Sequence, residues 1–162
     1  MILRFYHIAE ETPAGVDAVL TRLADKIIAS NQKILLVCPT ESRATRLDET
    51  LWTYAPESFL PHAFWQPDAA PELTTRQPLL IATPDHPLAE LAQNRLPILL
   101  SGAENALPPL LANQTDTTRL FYLFHAAPAV LETARSLWKS LKTGPHTLEY
   151  WQQTEGRWTQ RN

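Results

Sequence analysis

Apolar residues recur along this chain with two periods that take turns. Residues 2–8 read as a first strand. Thr12 and Pro13 then give an N-cap followed by proline at the first helical position. Val16, Val19, Leu20, Leu23, Ile27 and Ile28 repeat at helical spacing up to Ser30. Residues 33–38 form a short continuous apolar run, the pattern of a strand buried on both faces of a parallel sheet. Pro39 and Thr40 open a second helix that reaches about Trp52. Residues 63–78 read as loop, spaced by Pro67, Pro71 and Pro78. Residues 79–82, 97–100 and 119–124 read as further buried strands, with a short helix capped by Asp85-His86-Pro87 and reaching Asn94 between the first two. A late helix spans 129–142 and stops at Gly144-Pro145. Alternating stretches at 147–152 and 157–160 flank Thr154-Glu155-Gly156 as a hairpin. The pattern predicts an α/β fold over residues 1–162 as a single domain. It has a mostly parallel, Rossmann-like sheet with helices on both faces and a C-terminal β-hairpin.

Composition narrows the function classes. The chain has 162 residues, 44% hydrophobic and 19% charged, which is globular rather than disordered. Its net charge of −3 argues against strong direct DNA binding. The lone Cys38 excludes an internal disulfide and four-cysteine zinc sites, reads as a small core hydrophobe, and fits a reducing cytoplasm. No apolar stretch approaches the roughly 20 residues of a membrane span. Residues 1–6 read as a strand rather than as a secretory leader.

Catalytic signals are missing. The four glycines, at 15, 102, 144 and 156, form no phosphate-binding motif. The turn Ala9-Glu10-Glu11-Thr12 is acidic and would repel a pyrophosphate. The five histidines lack metal-ligand spacing and read as surface or loop residues. Asp48 and Glu49 diverge by about 100° on a helix, so they read as surface charge rather than a carboxylate pair. The sequence therefore predicts no cofactor and no catalytic or metal site.

Residues 46–62 are the most distinctive. They carry the string L-D-E-x-L-W-x(3)-P-E-S-F-L-P-H, a helix ending on Trp52 and a loop stiffened by Pro56 and Pro61. This string resembles the chi subunit family of bacterial DNA polymerase III, and the order of elements fits along essentially the whole chain. The resemblance implies a non-catalytic adaptor of the clamp-loader complex in DNA replication. It also implies a heterodimer with the psi subunit through Trp52, Phe59, Leu60, Pro61, His62 and Phe64. Psi would connect the chain to the clamp loader.

The late helix is the second constellation. With Val130 at zero, Val130, Ala134, Leu137 and Leu141 form a core-facing stripe. Arg135, Lys139 and Lys142 lie about 120° to 180° away, with Leu131 and Trp138 on the border. The bare reading is a solvated amphipathic helix with lysines favoured near its C-terminus. The family resemblance implies more: here such proteins bind the acidic C-terminal tail of single-stranded DNA-binding protein, which ends in a phenylalanine carboxylate. The family's basic–aromatic–lysine pattern is met by Arg135, Trp138 and Lys139. Lys142, Leu131 and Phe124 are carried over as neighbours, Phe124 as a pocket floor. Trp138 stands where a tyrosine is expected, so a hydroxyl is missing. The rival from another class is a small nucleotide-dependent α/β transferase.

Overall fold

In the computed structural model, which describes residues 1–53, 61–112 and 118–161, the apolar runs become strands covered on both sides. The strands are β1 (Ile2–His7), β2 (Lys33–Val37), β3 (His62–Phe64), β4 (Leu79–Ala82), β5 (Arg95–Leu100), β6 (Arg119–Phe124), β7 (Thr147–Thr154) and β8 (Arg157–Arg161). They make one sheet in the order β3-β4-β2-β5-β6-β1-β7-β8. Neighbours pair parallel from β3 through β7, and only β7 and β8 pair antiparallel.

Period-2 alternation supplies both buried faces. In β2, Ile34 and Leu36 enter one apolar cluster while Leu35 and Val37 enter the other. Helices α1 (Pro13–Ala29) and α2 (Glu41–Thr53) cover the first face with Val16, Leu20, Ala24, Leu47 and Leu51. The opposite face is covered by α4 (Leu88–Leu91), α5 (Leu107–Leu111) and α6 (Pro128–Lys142) through Leu88, Leu107, Leu110 and Ala134. α3 (Pro71–Arg76) buries no residue. Its C-terminal carbonyls are held instead by cations: Lys33 Nζ donates to Thr75 O at 2.5 Å and Arg95 Nη2 to Thr74 O at 2.8 Å.

Local chemistry sets the boundaries. Pro128 opens α6 and Pro13 opens α1, each preceded by an extended residue. Asn31 and Asn94 sit at φ 67° and 61°, the left-handed conformation that ends a helix and that asparagine tolerates. Glu155 and Gly156 both have positive φ, 52° and 76°, as a two-residue type I′ hairpin requires.

Several expectations need correction. Residues 63–78 are not simply loop, because residue 62 already starts β3 and Pro71 starts α3. β3 is only three residues long and α3 six, too short for either period to register. Thr12 has cap backbone geometry but no capping side-chain bond. At α2 the bond is made, with Arg43 N–H donating to Thr40 Oγ1 at 3.1 Å. The short helix expected after Asp85-His86-Pro87 and through Asn94 is one turn, Leu88–Leu91. A 3₁₀ turn at Glu104–Ala106 leading into α5 was not anticipated. The histidines are not all superficial: His62 and His125 are buried, and His86 Nδ1 accepts the Thr83 N–H at 3.0 Å. Among the described residues, no helix is long and apolar enough to cross a membrane.

Candidate functional site

α6 lies over the β1–β7 edge of the sheet with its apolar stripe inward. Ala134 is buried and Val130, Leu131, Leu137, Trp138 and Leu141 pack beside the second core cluster. This leaves Arg135, Lys139 and Lys142 exposed. Arg135, Trp138 and Lys139 line one open pocket of about 310 Å³, and β7 and β8 complete it with Tyr150, Gln152 and Arg161. Among the described residues, no carboxylate pairs with Arg135, Lys139 or Arg161. The pocket therefore joins unneutralised cations to two aromatic faces, a chemistry that suits an anion attached to an apolar group.

An aromatic stack fixes the floor. Trp138 meets Phe5 edge-on with centroids 5.1 Å apart, and Tyr150 at 5.6 Å. Phe124 does not line the pocket. It is fully buried one layer below, 6.2 Å from Phe5 and 6.1 Å from Tyr150, so its role is support rather than contact. Lys142 and Leu131 also lie outside the lining, Lys142 exposed beyond it and Leu131 half-buried a turn earlier. The Tyr150 hydroxyl and His7 Nδ1 are hydrogen-bonded at 2.9 Å. Burial, then the nearby Arg135 charge, push the His7 pKa down, which favours the neutral ring. Burial raises the Tyr150 phenol, partly offset by Arg135.

Tyr150, Gln152 and Arg161 were missed as pocket residues. The signal lay in strand alternation: Leu148 and Tyr150 face the α6 side, and Arg161 is the antiparallel partner of Tyr150.

At the opposite sheet edge, β3 carries the second patch. His62 is buried, with Nε2 2.9 Å from Asp48 Oδ1. Its ring lies 4.8 Å from that of Trp52, which is 56% exposed. Asp48 of α2, read as plain surface charge, thus lies against a buried imidazole of β3. Pro61 is half-buried, and Phe64 packs on the first core cluster with its ring 5.7 Å from His86. Phe59 and Leu60 lie outside the described residues.

The carboxyl ends of the strands, where open α/β sheets hold ligands, carry a different construction. Arg43 of α2 forks Asp17 of α1, with bonds of 3.1 and 2.5 Å, and both side chains are largely buried. Cys38 is buried beside them. Burial pushes its thiol up to about 12, against a smaller lowering by Arg43, so it stays protonated and unreactive near neutrality. Among the described residues, no three His, Cys, Asp or Glu side chains group to hold a metal ion.

Fold and pocket together define an α/β protein with an exposed cationic, aromatic pocket at one sheet edge. A sequence model described as the DNA polymerase III chi subunit, HolC, matches residues 2–149. The chain belongs to that family. It is 36% identical over 59 residues to DNA polymerase III subunit chi of Haemophilus influenzae, covering 36% of this chain and 41% of that one. It is 34% identical over 65 residues to the Pseudomonas aeruginosa protein of the same name, covering 40% and 46%. With that of Escherichia coli it shares 37% over 49 residues, covering 30% and 33%. The chain thus spans less than half the length of each of these curated relatives. The closing segment from Tyr150 onward lies beyond the family match.

Proposed function

We propose that this chain is a non-catalytic adaptor of the DNA polymerase III clamp-loader assembly in DNA replication, working in the cytoplasm. Its α6 pocket takes the C-terminal tail of single-stranded DNA-binding protein. The Trp52–His62 edge, with the Phe59–Pro61 segment, takes psi. The carrying observation is that Arg135, Trp138 and Lys139, neighbours on one helix face, line one pocket with Tyr150 and Arg161 of the hairpin. The chemistry then assigns roles. The Arg135 guanidinium forks the terminal carboxylate. Trp138 and Tyr150 receive the phenylalanine ring, and Lys139, with Lys142 beyond it, meets acidic residues. Family membership supports the same reading.

Against the transferase alternative stands the Asp17–Arg43 pair, which places a bonded carboxylate where a nucleotide phosphate would need donors. A thermal-shift screen with nucleotides separates the two classes, because a ligand at 100 times its Kd adds about 2.7 kcal/mol. No shift is expected.

Calorimetry with an acidic peptide ending in phenylalanine tests the adaptor pocket. The free acid should bind modestly and lose affinity as salt rises, since exposed ion pairs are screened. The C-terminal amide should bind more weakly. Equal affinity for the two peptides would remove the carboxylate role of Arg135.

A further inference from the structure

The pocket has two cationic walls, on different elements. Arg135 and Lys139 stand on α6, while Arg161 stands on β8 across from them. Arg161 is the cross-strand partner of Tyr150, so the two side chains lie side by side on the same sheet face. The family match ends at residue 149, so the hairpin wall belongs to the part of the chain outside it.

We infer that Arg161 is a ligand-contacting residue, and that the C-terminal hairpin turns the pocket into a slot for an extended peptide with two consecutive acidic residues upstream of its terminal aromatic. The inference rests on the peptide-binding reading above and specifies its ligand. In an extended chain, successive side chains point to opposite sides. A peptide lying between α6 and β8 therefore presents one carboxylate to Lys139 and the next to Arg161. A single cationic helix face serves only alternate residues of such a peptide. Among the described residues, Arg161 is engaged by no carboxylate.

The test is a set of double-mutant cycles on the full chain, by calorimetry at low salt. Lys139→Gln and Arg161→Gln are each crossed with peptides in which one of two adjacent aspartates becomes asparagine. Arg161→Gln should weaken the doubly acidic peptide by about three- to fivefold, the range of an exposed pair. It should couple to one aspartate and Lys139→Gln to its neighbour, and Arg161→Lys should keep most of the affinity. Arg161→Gln should also flatten the salt dependence. Wild-type affinity in Arg161→Gln, with binding lost in Arg135→Gln, overturns the slot and leaves the pocket standing. Equal weakening of acidic and neutral peptides overturns the charge role of Arg161. No binding by the wild-type chain removes both readings. Unchanged melting temperature in Arg161→Gln separates lost contact from lost fold.

Discussion

His7 shows how one residue links the floor of the pocket to pH. It sits on β1, stacks on Phe124 with centroids 5.4 Å apart, and shares a hydrogen bond with the Tyr150 hydroxyl. Burial first, and Arg135 second, lower its pKa. A base whose folded pKa is depressed binds fewer protons folded than unfolded. Its share of stability is therefore whole above the ordinary value of about 6.5, and is lost as pH falls from there toward the folded value. Urea melts between about pH 5 and pH 8 should show stability declining on the acid side of that range. His7→Gln should make the decline shallower. His125, also lowered by burial and then by Arg43, leaves a residual slope. An unchanged slope in the variant would mean that His7 does not titrate differently in the two states. Single residues were also where sequence reading was weakest. Buried His62 and the Asp48 beside it have no signature in spacing, because they meet only after β3 docks beside β4.

At the scale of elements, long periodic segments were legible and short ones were not. α1, α2, α6 and the central strands follow the apolar pattern because each buries a full face. β3, α3 and α4, at three, six and four residues, carry too few positions for a period and are held by neighbours and cations. The C-terminal hairpin lies between these cases: its turn was readable, but its part in the pocket was not. That turn makes the hairpin testable as a unit. Gly156 has φ +76° with open space around its Cα, so Gly156→Ala meets no clash and costs only backbone strain, about 1 kcal/mol. If the hairpin forms a pocket wall, this change should weaken peptide binding about as Arg161→Gln does, with a modest loss in melting temperature. Unaltered peptide affinity alongside a lowered melting temperature would mean the hairpin only stabilises the edge.

On the scale of the whole molecule, strand order separates the two patches in a way no sequence count revealed. They derive from neighbouring thirds of the chain's pattern, yet β3 and β7 stand at opposite sides of the sheet. Six interstrand steps of about 4.8 Å put His62 and Tyr150 roughly 29 Å apart. At that distance effects of substitution add independently. An adaptor needs this arrangement, since one partner must not cover the site of the other. Trp52→Ala removes a side chain that is already 56% exposed, so folding should change little. An aromatic anchor at an interface is worth about 2 kcal/mol or more, so this variant and Phe59→Ala should lose psi in size-exclusion chromatography. Both should titrate the acidic peptide like wild type. Arg135→Ala should reverse the pattern, retaining psi while losing the peptide. A folded Trp52→Ala protein that fails to bind the peptide would show that the sheet couples its two edges, and the adaptor reading with two independent surfaces would fall.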